Sequence, residues 1–228
     1  MPDRARVLLI GGSPEPSSLS TVMSASSGCD HIVVADRGLD VAMSAGLRPD
    51  LFCGDADSVS TVGAAVVNAA ESDESGLSFE VERHDPYKDA TDLSLAFDAI
   101  YRRWGVCDVV CTCLSGGRPD HFLAVMGCLS RQRRAQVSLA EDGFTARFLS
   151  DGDTWALPDV RGRRFSCIAL SEGAVVSERG FRWELDHERL SLLDDLGVSN
   201  YVVAPDALVA CHEGSTAAFL FEERSQLA

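Results

Sequence analysis

HIVVADRGLDVAMSAGLRPDLFCGDADS, residues 31–58, is the stretch whose reading decides the fold. HIVVADRG begins as an apolar, β-branched run of strand length and breaks at Asp36. LDVAMSAG reads as a short helix closed by Gly46, and DLFCGDADS as a second strand that breaks at Asp55. Strand, helix and strand in so short a space form a βαβ unit with parallel strands. Both strands end on aspartates, so the carboxylates fall on one rim of the sheet.

The alternation continues outward on both sides. RVLLIGG reads as a strand and LSTVMSAS as a helix; after residue 58, STVGAAVVNAA reads as a helix and LSFEVERHD as a strand. In TDLSLAFDAIYRRWG, Leu93, Ala96, Phe97, Ile100 and Trp104 make an apolar stripe at helical spacing, with Thr91 as N-cap and Gly105 as stop. DVVCTCLSGG is a buried strand in which Cys111 and Cys113 are expected to share a face. PDHFLAVMGCLSRQRR is a helix with proline in its first turn. From about residue 136 the pattern changes to short strands with turn signals, among them TWALP, FSCIALS, VSERG, NYVVAP, ALVACHEGS and AAFLFEE. The expected class is α/β: a doubly wound, mostly parallel sheet domain over 1–135, then a smaller antiparallel β-sandwich domain over 136–228.

Composition narrows the function. The chain of 228 residues has a formal net charge of −15, and no basic cluster extends beyond RQRR and RGRR. Nucleic acid and anionic membrane are therefore not expected partners. MPDRARVLLIGG carries too short an apolar run for a signal peptide, and no run reaches membrane-spanning length, so a cytoplasmic protein is expected. The eight cysteines contain no C-x-x-C pair and read as buried, reduced hydrophobes.

On this framework the polar motifs cluster. Asp36 ends the second strand, Asp55 and Asp57 the third, DPYKDATD (residues 85–92) follows the fourth, and SGGR (Ser115–Arg118) ends the fifth. All lie at carboxyl ends of parallel strands, where open α/β sheets bind ligands. Carboxylates brought together need a cation, and hard oxygen donors suit Mg²⁺ bridging to phosphates. Asp92 also suits the first turn of a helix. Gly116 and Gly117 free backbone N–H groups before a helix for an anion, with Arg118 to grip it. His121 is either a base or a packed first-turn residue. Lys88 is the only lysine in the chain. It is either a chance survivor or a compact cation reaching a phosphate, where a guanidinium has the wrong shape. Neither a P-loop nor a G-x-G-x-x-G fingerprint is present. The constellation implies a Mg²⁺-bound polyphosphate.

ADRGLDVAMSAGLRPDLFCGDADS, KDATDLSLAF, SGGRPDH and GFRWELDHERL…GVSN, in that order, resemble the thiamine pyrophosphokinase family over nearly the whole chain. The resemblance implies a nucleotide-binding α/β domain, a β-sandwich and a homodimer with thiamine at the interface. It implies transfer of pyrophosphate from ATP to the thiamine hydroxyl, with release of AMP. Asp55, Asp57 and Asp92 would hold Mg²⁺, with Asp36 close by. Lys88 and Arg118 would hold phosphates, and Asp120 would share their rim. Trp183, Ser199 and Asn200 would meet thiamine; Trp183 offers a face for a heteroaromatic ring, or else packs in the sandwich core. Where the family has A-D-G-G-A, this chain has ADRGL. Arg37 therefore replaces a glycine and stands as a further phosphate contact.

Two other enzyme readings compete. DADSV fits the D-x-D pattern of haloacid-dehalogenase-type phosphatases, with Asp55 as nucleophile. It follows the third strand rather than the first, however, and leaves SGGRPDH unexplained. A pyrophosphokinase acting on a pterin would share the chemistry and change only the acceptor. A non-catalytic Mg²⁺–nucleotide sensor is the third alternative.

Overall fold

The computed structural model describes residues 4–72, 79–85 and 89–224. The chain divides into two compact units. Met1–Cys128 with Leu139–Asp142 form one, and Leu129–Ser138 with Gly143–Ala228 form the other. The expected single cut at 135/136 is replaced by an exchange in which one strand supplies residues to both units. No described helix is long and apolar enough to cross a membrane.

The first unit contains β1 (Arg6–Ile10), α1 (Leu19–Ser26), β2 (His31–Ala35), α2 (Gly38–Ser44), β3 (Leu51–Gly54), α3 (Thr61–Glu71), β4 (Glu80–Arg83), α4 (Asp92–Trp104), β5 (Cys107–Thr112) and α5 (Pro119–Ser130). The strands pair in parallel in the order β4-β3-β2-β1-β5. Val7 to Ile10 are wholly buried, as a strand covered on both faces requires. Burial of each such side chain contributes about 1.5–3 kcal/mol. Leu8, Ile10, Val34, Phe52 and Val110 pack with Val22, Leu39 and Val67 from α1, α2 and α3. Right-handed crossovers put those helices on one face, and the return from β4 to β5 puts α4 on the other, against β2 and β3. Thr91 caps α4, its Oγ1 accepting the Ser94 N–H at 3.3 Å, and Gly105 ends the helix at φ 66°.

Two features locate the binding edge. β1 and β5 are neighbours, but the chain leaves β1 toward β2 and leaves β5 toward β6 (Ala135–Glu141) on the opposite side. That divergence is a topological switch point, which opens a crevice at the strand ends. Cys113, just past β5, has φ 57°. The left-handed turn breaks the alternation expected of Cys111 and Cys113. Cys113 joins the core beneath α1–α3, whereas Cys111 is fully buried away from that cluster, next to Cys128.

The second unit is a sandwich of antiparallel strands. It adds β7 (Phe144–Ser150), β8 (Thr154–Pro158), β9 (Arg163–Ala169), β10 (Ala174–Arg179), β11 (Leu185–Leu190), β12 (Asn200–Tyr201), β13 (Asp206–Glu213) and β14 (Ser215–Arg224). One layer is the run β6-β7-β14-β9-β12 of the ten-stranded sheet, and the other is the four-stranded sheet β11-β10-β13-β8. Alternation sets the inward faces: Trp155 and Leu157 on β8, and Ala207, Val209 and Cys211 on β13. They meet Phe165, Cys167, Ala218 and Leu220 from the other sheet in a common core. β11 was not anticipated. LDHERL is mostly polar and exposed, so it carries no alternation, and it forms as an edge strand paired only with β10. NYVVAP is shorter than expected, retaining Asn200–Tyr201 as strand and Val202 as a bridge to Phe181.

Candidate functional site

A cavity of about 650 Å³ opens at the carboxyl ends of the first unit's strands. Asp36, Arg37, Asp92, Gly116, Arg118 and Asp120 all line it, with Gly11 and Gly12 from the end of β1. The sequence motifs of β2, α4 and the β5–α5 turn thus converge on one space at the switch point. Lys88 lies outside the described residues.

Asp36 turns off β2 at φ 46°, with its N–H on the Cys53 carbonyl at 3.1 Å. Its carboxylate lies over Gly54: a Cβ on that glycine, at φ 151°, would come within 1.9 Å of Asp36 Oδ1. Glycine is required there on both counts. Asp36 is thereby held one residue from Asp55. Asp55 is half-buried, and its Oδ1 accepts the Asp57 N–H at 3.0 Å, which folds GDADS into a tight turn. Asp57 is exposed, and neither residue belongs to the described walls of the cavity. Asp92 is half-buried in the first turn of α4. Asp36 Oδ1 and Asp92 Oδ1 are buried atoms. Oxygen donors of this kind are the type that Mg²⁺ takes, although Asp55, Asp57 and Asp92 are not grouped within metal-ligating reach of one another among the described residues.

Arg37 behaves differently from the phosphate contact expected of it. Its Nε donates to the Ser58 carbonyl at 3.3 Å, tying the start of α2 to the loop that carries Asp55 and Asp57. It lines the cavity as well, so the guanidinium sits between loop and ligand space.

The glycine turn also holds a surprise. Gly116 and Gly117 have φ of 90° and 69°, as a turn of exposed N–H groups needs. Yet the Gly117 N–H donates to Glu15 Oε2 at 3.3 Å. The N–H groups of Leu114 and Ser115 donate to Glu141 Oε1 at 2.8 and 3.0 Å, and that of Cys113 to Glu141 Oε2 at 3.3 Å. Ser17 Oγ donates to Glu141 Oε2 as well. Carboxylates of the chain itself therefore occupy part of the expected anion site. Glu141 is 4 % exposed, and sequence reasoning did not single it out. Its signal was position: a carboxylate on the buried face of an alternating strand. Arg118 forms a fork with Asp120, with Nη2–Oδ2 at 2.6 Å. The pairing raises the arginine's pKa and lowers the aspartate's. His121 is exposed and lines the cavity rather than packing.

In the second unit, Trp183 is 56 % exposed rather than packed in the core. Arg182 lies over its ring at 5.1 Å and Tyr201 beside it at 6.4 Å. Asn200 is buried and fully engaged. Its Nδ2 donates to Glu178 Oε2 at 2.7 Å and to the Trp183 carbonyl at 2.6 Å, while its Oδ1 accepts the N–H groups of Trp183 and Tyr201. It holds the Trp183 turn in place. Ser199 is exposed at φ 62°, with its N–H on Ser166 Oγ at 3.0 Å. Burial raises Cys53 to about 12 and Cys113 and Cys211 to about 11, so these thiols are protonated near neutral pH unless a metal binds them.

The same architecture occurs in solved structures. The thiamine pyrophosphokinase of Bacillus subtilis superposes with a TM-score of 0.77 at 20 % identity, covering 96 % of this chain and 99 % of its own. That of Geobacillus thermodenitrificans gives 0.77 at 23 % identity, with 96 % and 99 % covered. The Candida albicans protein gives 0.78 at 13 % identity, with 96 % and 90 % covered. At such identities the likeness establishes the fold. No curated protein sequence matches the chain. Residues 22–140 match the thiamin pyrophosphokinase catalytic domain. That span is more than half of the chain and runs from within α1 to β6, taking in the cavity-lining ends of β2 and β5 and the start of α4. The chain belongs to the thiamin pyrophosphokinase family.

Proposed function

We propose that the chain transfers pyrophosphate from ATP to the hydroxyl of thiamine, with the cavity beside β1 and β5 as the donor site. One observation carries this reading: carboxylates, a glycine turn and an arginine from separate elements line a single space at the switch point of a family member. The thiamine oxygen attacks the β-phosphorus, the bond from that phosphorus to the α,β-bridging oxygen breaks, and AMP leaves. The hydroxyl proton passes to solvent. Mg²⁺ held by Asp55, Asp57 and Asp92 supplies charge neutralisation on the phosphates. Gly116 and Gly117 approach the phosphate chain through backbone, Arg118 moves from Asp120 to a phosphate oxygen, and Lys88 adds a compact charge. Asp36 backs Asp55 through its seat over Gly54.

Thiamine lies on Trp183, whose exposed face and neighbouring Tyr201 suit an aromatic ring. Ser199 is within the same turn region, and Asn200 acts by fixing Trp183. A homodimer with the active site at its interface is part of the proposal. Exposed Leu192, Leu193, Leu196 and Val198 follow Trp183 in the chain, and apolar side chains of this kind are what a second copy would cover. A cytoplasmic location is part of the same proposal, and eight free cysteines, seven of them buried and Cys29 half-buried, are compatible with it. Against the phosphatase reading, the D-x-D aspartates follow β3 rather than the first strand of the sheet.

Replacement of Asp55 or Asp92 by Asn tests the site. Each change should lower kcat by at least about a hundredfold at saturating Mg²⁺, with the circular dichroism spectrum unchanged. Retention of near-normal turnover by either variant would remove that residue from the metal site.

A further inference from the structure

We propose that Cys53, Glu82 and His84 form a binding site for Zn²⁺, with donors other than the proposed magnesium carboxylates. The parallel register of β3 and β4 sets Cys53 beside Glu82. Their neighbours Phe52 and Val81 face the core beneath α1–α3, so Cys53 and Glu82 point to the α4 face. His84, two residues beyond Glu82, returns to that face. Its N–H donates to the Gly54 carbonyl at 3.0 Å, which carries the strand pairing past the end of β4. Thiol sulfur, carboxylate oxygen and imidazole nitrogen come within 4.8 Å of one another.

The chemistry of the three donors points to a borderline-soft ion. Thiolate, imidazole and carboxylate together suit Zn²⁺, whereas Mg²⁺ takes oxygen alone. His84 Nε2 is a buried atom with no hydrogen-bond partner among the described residues, and Cys53 is wholly buried. A polar ring nitrogen buried in this way costs free energy unless something occupies its lone pair. Glu82 is held firmly from behind: Arg103 Nη1 donates to Oε1 and Arg102 Nη2 to Oε2, each at 2.5 Å. Each oxygen keeps a second lone pair, and the guanidinium groups fix the carboxylate as outer partners fix a ligand. Tetrahedral bonds of ~2.0–2.3 Å place ligand atoms ~3.3–3.8 Å apart, so a closure of about 1 Å by side-chain rotation completes three corners. The Cys53 thiol proton leaves for solvent as the sulfur–metal bond forms, and the fourth corner is left for water or substrate.

The test is a titration of the whole reduced chain, free of nucleotide, with Co²⁺ as a spectroscopic stand-in for Zn²⁺. The expected result is one equivalent bound, visible bands of tetrahedral strength, a thiolate-to-cobalt charge-transfer band in the near ultraviolet, and loss of all of them on adding Zn²⁺. Cys53→Ser should abolish the charge-transfer band, and His84→Gln should weaken binding at least about tenfold while leaving the sulfur in place. A charge-transfer band that survives in Cys53→Ser places the ion on another cysteine and overturns the proposal. So does a weak octahedral spectrum displaced by Mg²⁺, which places the ion on the aspartates. Unchanged affinity in a folded His84→Gln variant overturns it equally.

Discussion

Glu178 shows how one buried carboxyl links stability to pH. It is 1 % exposed on β10, and desolvation raises its pKa from 4.5 to about 7, the hydrogen bond from Asn200 opposing the shift only in part. The folded chain therefore binds this proton more tightly than the unfolded chain does. Its contribution is complete below pH 4.5 and is lost as pH rises through about 7, by an amount on the order of 3 kcal/mol. Urea midpoints measured from pH 4.5 to 8.5 should fall in the native chain and stay flatter in Glu178→Gln, which mimics the protonated group. Parallel pH profiles for the two would show that the carboxyl does not titrate in this range. Trp183 poses a binding question at the same scale. Trp183→Ala should raise the KM for thiamine at least about tenfold with kcat within a few-fold, since a stacking face lost from ground and transition states alike weakens binding uniformly. A change in kcat alone would contradict the assignment of that ring to thiamine.

At the scale of elements, the fold rests on turns held by carboxylates, and here the legibility of the sequence was uneven. β1 to β5 and the helices between them could be read because buried parallel strands and amphipathic helices leave period and punctuation in the chain. The edge strand β11 left neither, being polar and exposed along most of its length. Asp36, Asp92, Arg118 and Asp120 converge on the cavity as their positions at the strand ends implied. The partners of the glycine turn could not be read, because Glu141 is far away in sequence and its alternation alone does not say which N–H groups it meets. Glu141→Ala leaves the N–H groups of Cys113, Leu114 and Ser115 buried without their acceptor, so it should cost about 3 kcal/mol or more in chemical denaturation. Arg37→Gly, which restores the residue usual in the family, removes the tie to Ser58. The GDADS loop then orders at a higher entropic cost, and the Mg²⁺ concentration for half-maximal turnover should rise several-fold with a smaller change in saturated kcat. A drop in kcat with the Mg²⁺ dependence unchanged would instead make Arg37 a phosphate contact.

Taken whole, the chain combines a crevice lined by Asp36, Asp92, Asp120, Arg37 and Arg118 in one unit with an exposed tryptophan, Trp183, in the other. Its net charge of −15 would repel a polyphosphate, so the proposed donor site would have to rely on local cations and backbone N–H groups against an adverse overall field. Raising ionic strength should therefore leave the KM for the Mg²⁺–ATP complex unchanged or lower it, where a basic nucleotide-binding surface would show the reverse. β6 belongs partly to each unit, so the passage from one to the other falls within a strand, close to the change of pattern at about residue 136. The central claim is the identity of the reaction. The measurement that addresses it most directly is mass spectrometry of the products formed from thiamine, ATP and Mg²⁺. Thiamine diphosphate and AMP in equal amounts are the predicted result. Inorganic phosphate with ADP, or no AMP in the presence of thiamine, would contradict it.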